Sequence, residues 1–242
     1  MYRRKIILYD RAGAFVLKTA ITESVNTMYE SPYPKVSPCV KGLIIANVAV
    51  FIAQVLPGVG NLVTAYGGMQ PVYAFLHLEL WRLVSYMFLH DPNSMFHIIF
   101  NMLALWWFGP ELEDIWGGRK FLIFYFVCGV GAGLFSAFNL FINPYALVIG
   151  ASGAVLGLLT AYALYYPDRQ VLLFFVLPMR MRTLIIGYAA VSVFMSFSGG
   201  GKVSHITHLG GIVVAFLYLK IFPFIELWFR KRVYVWKSKM RR

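Results

Sequence analysis

Charge is what this sequence has least of. Only 13% of its 242 residues are Asp, Glu, Lys or Arg, against 60% hydrophobic, and the apolar excess falls in long runs. That balance is far from an ordinary soluble domain, so one integral membrane domain is expected. Cysteine is nearly absent. Cys39 and Cys128 lie in or beside apolar segments, far apart, which excludes a disulfide framework and a paired-cysteine metal site. The 10 acidic residues all fall in tails, loops or at span edges. This removes the carboxylate of a membrane-embedded Ser-His-Asp triad. It also removes the mid-span charges that a transporter or channel with a proton path would carry. No H-E-x-x-H spacing occurs, and no cofactor or metal is expected. The basic start has no apolar core or small-residue cleavage site behind it, so no cleavable signal peptide is expected.

What charge there is has one dominant sign, with a formal net of +12. Such an excess can mark a nucleic-acid binder, but its placement argues for a bilayer and against nucleic acid. Nineteen of the 22 Lys and Arg residues sit in the two tails, counting Lys41 at the edge of the first span, and in the second and fourth connections, while Arg82 and Lys202 alone sit in the odd connections. The positive-inside rule then puts both termini in the cytoplasm.

Six spans are read: Val40–Leu56, Met95–Phe108, Phe121–Ile142, Ala146–Tyr166, Thr183–Phe197 and Ile206–Trp228. The expected fold is an all-α bundle of six transmembrane helices. Val72–Leu89 is apolar enough to mimic a further span. However, Glu79 and Arg82 interrupt it and Gly67, Gly68 and Pro71 precede it, so it is read as a folded, membrane-dipping first loop. If that loop is helical, Glu79 and Arg82 pair at i, i+3. The chain divides into a cytoplasmic extension (1–36), the helical domain (37–230) and a basic cytoplasmic tail (231–242).

Three polar motifs sit where hydrocarbon should exclude them. Gly150-Ala151-Ser152-Gly153 opens the fourth span: Ser152 is either a small packing residue or a nucleophile that Gly150 and Gly153 leave approachable. His97 and Asn101, four apart on one helical face, either join helices or donate to a developing oxyanion. His205 and His208 open the sixth span, where a structural pair, a metal site and a general base all compete. In the six-span layout all three motifs share one depth on the non-cytoplasmic side. Small-residue seams at Gly153-x-x-x-Gly157 and Gly211-x-x-x-Ala215 allow the fourth and sixth helices to close. A serine, an imidazole and oxyanion donors are the parts of a serine hydrolase.

With these residues in view, the chain resembles the rhomboid intramembrane serine proteases. The resemblance rests on Trp81-Arg82, His97-x-x-x-Asn101, Gly150-Ala151-Ser152-Gly153 and His208-Leu209-Gly210-Gly211, in family order across Val40 to Trp228. It implies Ser152 as nucleophile and His208 as general base and acid. His97, Asn101 and the Ser152 amide would be the oxyanion site, supported by Gly150, Gly153 and Gly211. It further implies a structural histidine at His90, single-span transmembrane proteins as substrates, and a bacterial inner membrane as location. The alternative within the family is an inactive relative that binds membrane clients. One position departs: where some members stack an aromatic residue on the base, this chain has Leu156, so the imidazole must be held differently.

Overall fold

The structure, a computed structural model, describes residues 36–173, 176–198 and 205–221. The N-terminal extension (all but residue 36), the basic tail 231–242, Lys202 and the end of the sixth span beyond residue 221 lie outside the described residues.

Six long helices correspond in order to the six predicted spans: α1 Pro38–Val55, α2 Met95–Trp116, α3 Gly118–Phe135, α4 Ser152–Tyr165, α5 Met181–Ser198 and α6 His205–Lys220. Among the described residues, two of them are long and apolar enough to cross a membrane: α1, and α3 with the 3-10 turns that carry it to Phe141. The six-span count is therefore supported for two spans. The shortfall is plainest at α4, whose 14 residues rise about 21 Å against a hydrocarbon core of ~30 Å. The predicted span began at Ala146, but residues 146–151 form irregular backbone that pairs with the first loop. An apolar run cannot reveal that its outer third is not helix.

The surface pattern is that of a membrane protein. Ile45 and Ile52 on α1, Ile99 on α2 and Phe194 on α5 are exposed, while Asn47, Gln54 and Arg82 are buried. Water would not tolerate so much outward apolar surface. These inward polar groups make local hydrogen bonds: the Asn47 amide donates to the Leu43 carbonyl, and Gln54 accepts from the His90 N–H and donates to Thr64.

Two boundaries differ from expectation for identifiable reasons. α2 runs through Pro110 and on to Trp116, well past the predicted end at Phe108. Its extension delivers Glu113 to the start of α1, where the carboxylate accepts from the Ser37 hydroxyl at 2.5 Å and from the Cys39 and Val40 N–H groups at 3.1 Å. A helix N-terminus leaves such donors unpaired, and a carboxylate from a neighbouring helix satisfies them. Between α4 and α5, strands β1 Gln170–Leu173 and β2 Leu177–Arg180 form an antiparallel hairpin with Gln170 opposite Arg180. The all-α expectation missed this hairpin.

The first loop is folded, as the interrupted apolar pattern suggested. It holds a helix at Gly60–Gly67, a π-helical turn at Val72–Leu76, one α-turn at Arg82–Ser85 and a 3-10 turn at Tyr86–Phe88. Arg82 is its internal tie. The guanidinium is buried, bonds Glu79 at 2.5 Å, and donates to the carbonyls of Ala65 at 2.7 Å and Gly68 at 2.6 Å. Next to it the Trp81 indole donates to the Tyr66 carbonyl at 3.1 Å. The Trp81-Arg82 pair thus fastens the Gly60–Gly67 helix to the rest of the loop.

Candidate active site

The first loop sets where α4 begins. Met69 and Val148 exchange backbone hydrogen bonds at 2.8 and 2.9 Å, the Val72 N–H reaches the Pro144 carbonyl at 2.9 Å, and the Gly150 N–H reaches the Tyr86 carbonyl at 2.9 Å. The chain then turns at Gly150, whose φ of +126° lies where side chains are strained. Space demands glycine there as well: a Cβ would stand 2.7 Å from Nε2 of His97. Two residues later α4 starts at Ser152, so the N–H groups of its first turn have no partner within the helix.

The Ser152 Oγ lies 2.6 Å from Nε2 of His208 on α6. This approach depends on missing side chains. A Cβ on Gly211, one turn after His208, would lie 2.1 Å from the Gly153 carbonyl oxygen. On the other flank of α4, Gly153 and Gly157 press against Ala132 and Cys128 of α3, where added Cβ atoms would meet Ala132 Cβ at 2.5 Å and Cys128 Cβ at 2.6 Å. α4 is therefore gripped between α3 and α6 along the small-residue seams.

His97 reaches the same place from α2. Its Nδ1 accepts from the Asp91 N–H at 3.3 Å, which leaves the neutral ring protonated on Nε2, the nitrogen that faces Gly150. Asn101 is buried, and its side-chain amide donates to the His97 carbonyl at 2.7 Å, within its own helix. His90 is fully buried at the end of the first loop, edge-on to His97 with ring centroids 5.0 Å apart. Burial, and then the neighbouring His97, pushes the His90 imidazole down to about 4, so at neutral pH it is an uncharged packing partner.

The structure thus gathers Ser152, His208, His97, Gly150, Gly153 and Gly211 into one locus, with Asn101 one turn from His97. Sequence reasoning missed Tyr188. Its hydroxyl, carried on α5, lies 2.7 Å from Nδ1 of His208, the nitrogen turned away from Ser152. A lone tyrosine in an apolar span gives no sequence signal of such a partnership. His205 stands edge-on to His208 with ring centroids 6.4 Å apart.

These features define a helical membrane protein with a serine–imidazole pair built between two close-packed helices. The sequence model of the Rhomboid domain matches residues 77–223, more than half of the chain, and the chain belongs to the rhomboid family. Rhomboid protein 1, mitochondrial, of Saccharomyces cerevisiae is 29% identical to it over 78% of this chain and 54% of its own length. Rhomboid-like protease 3 of Toxoplasma gondii is 31% identical over 66% of this chain and 60% of its own. Rhomboid protease GlpG of Serratia proteamaculans is 30% identical over 76% of this chain and 62% of its own. The chain spans between 54% and 62% of the length of these three relatives.

Proposed function

We propose that this chain is an intramembrane serine endopeptidase. The observation that carries the reading is the 2.6 Å contact between Ser152 Oγ and His208 Nε2 at the N-terminus of α4. Ser152 attacks the scissile carbonyl while Nε2 of His208 takes its proton. The resulting oxyanion is met by the Ser152 N–H, at the positive end of the helix, and by the Nε2–H of His97, with Asn101 beside it. The tetrahedral adduct collapses as His208 returns the proton to the leaving amine, leaving an ester on Ser152. Water, deprotonated by His208, then attacks the ester carbonyl, and the Ser152 Oγ–carbon bond breaks as Oγ takes that proton back from His208 and the acid product leaves.

The substrates on this reading are single-span transmembrane proteins. A regular helix hides its peptide bonds, so segments weakened by Gly or Pro are cut preferentially. The catalytic unit is the six-helix bundle within residues 37–230, with a hydrated opening on the non-cytoplasmic side. Both termini are cytoplasmic, in a bacterial inner membrane. The hairpin end supports this orientation: Arg169, Arg180 and Arg182 cluster there, at the end of α4 opposite Ser152. An inactive client-binding relative is disfavoured because Ser152, His208, His97 and Asn101 are all present. The test is cleavage of a transmembrane reporter by purified protein in liposomes. Wild type cleaves it, and Ser152→Ala and His208→Ala do not while remaining folded; equal cleavage by Ser152→Ala would overturn the proposal.

A further inference from the structure

We infer that Tyr188 is a positioning residue for the base: its hydroxyl holds His208 in the tautomer and orientation that can accept the Ser152 proton. The inference rests on the Ser152–His208 reading above and extends it to a residue that neither the motifs nor the family match assigns a role.

The argument starts from the two nitrogens of one ring. Nε2 faces Ser152 Oγ at 2.6 Å and Nδ1 faces the Tyr188 hydroxyl at 2.7 Å. A neutral imidazole carries one proton, so one nitrogen donates and the other accepts. To act as base, Nε2 must accept from Ser152, and the proton must sit on Nδ1. An acceptor has to face Nδ1–H, and among the described residues the group at hydrogen-bond distance is the Tyr188 oxygen. The same bond fixes the rotation of the ring. Its plane is tilted 48° from that of Tyr188, with centroids 6.0 Å apart, so the contact runs through the hydroxyl rather than through stacked faces. No carboxylate takes this place: among the described residues no Asp or Glu lies in α5 or α6.

A tyrosine oxygen suits a dyad in a membrane interior. It accepts one hydrogen bond without bringing a fixed negative charge, which would itself need a partner in that setting. When His208 takes the Ser152 proton the ring becomes a cation, and its Nδ1–H bond to Tyr188 strengthens as charge develops. The stabilisation therefore appears in the transition state more than in the bound substrate, and it belongs in kcat rather than in KM. Tyr188 reaches the site from α5, a helix that carries none of the dyad or oxyanion groups, so the alignment of the base depends on α5 staying packed against α6.

The experiment compares wild type with Tyr188→Phe, which keeps the ring and removes the hydroxyl, in liposomes. Three readouts are taken: kcat and KM on the transmembrane reporter, the rate of Ser152 labelling by a fluorophosphonate, and the thermal unfolding temperature. The inference expects kcat to fall about tenfold or more, the worth of one hydrogen bond of this kind. Labelling should slow in parallel, with KM and unfolding nearly unchanged. Because the fluorophosphonate needs an activated serine but no docked helix, it separates alignment of the base from access of substrate. A raised KM with normal labelling would make Tyr188 a substrate-contact residue and overturn the inference. Faster labelling in Tyr188→Phe would also overturn it, because the hydroxyl would then have been donating to Nδ1 and holding the unproductive tautomer. Full activity in Tyr188→Phe would do the same. In each of these cases an active wild type leaves the protease reading standing. A wild type that neither labels at Ser152 nor cleaves would sink that reading and this one with it.

Discussion

Gly211 packs directly on Gly153: a Cβ on the first would stand 2.1 Å from the carbonyl oxygen of the second. That contact sets the distance between α4 and α6, and with it the distance between Ser152 and His208. Gly211→Ala must therefore push the helices apart. Overpacking of this kind costs ~1–3 kcal/mol in stability, and a displacement of about 1 Å costs on the order of 10²-fold in rate. Turnover on a transmembrane reporter should fall by that order while the protein still purifies as a folded species. Unchanged turnover would show that the seam does not govern the site.

The two candidate oxyanion side chains are not equivalent. Nε2 of His97 faces the Gly150 turn, whereas the Asn101 amide donates within its own helix. His97→Ala should lower kcat by ~10²–10³, and Asn101→Ala by less, with KM little changed in both. Steady-state kinetics of the two variants decide the order, and a larger loss for Asn101→Ala would reverse the assignment.

Arg82 acts far from the chemistry. Removing its guanidinium strands two carbonyls and the Glu79 carboxylate in a largely buried setting. Arg82→Ala should lower stability by about 3 kcal/mol, the usual loss when one partner of a buried pair is deleted. Arg82→Lys should recover only part, because an ammonium cannot reproduce the fork that bonds Glu79 and two carbonyls together. Thermal unfolding in detergent measures both, and a neutral Arg82→Ala would contradict the tie.

His90 supplies a pH dependence with a defined sign. Its folded value is lowered to about 4 from an ordinary 6.5 by burial and by His97. The unfolded chain therefore binds the extra proton first as pH falls. The contribution to stability is complete above about 6.5 and is lost progressively between there and about 4. The unfolding temperature should drop more steeply over that window in wild type than in His90→Gln. Identical slopes would show that His90 does not carry the effect.

Much of the candidate site was legible because its chemistry is foreign to hydrocarbon. A serine between glycines, histidines in apolar runs and an Arg in the first loop each stand out against their neighbours. Their meeting was legible only through helix direction and the glycine seams. What stayed hidden was backbone and partnership. Residues 146–151 read as membrane helix because irregular loop can be as apolar as a span when it packs on protein. Glu113 read as an edge residue, yet it satisfies the N-terminus of α1 from another helix. Tyr188 was invisible because a tyrosine among Ile, Leu and Val carries no spacing that announces its partner.

The account stands on the activation of one hydroxyl by one imidazole. Purified protein in liposomes, treated with a fluorophosphonate and mapped by peptide mass spectrometry, measures it directly. The account predicts a single adduct on Ser152 in wild type and none in His208→Ala. An adduct elsewhere, or equal labelling of Ser152 without His208, would contradict it.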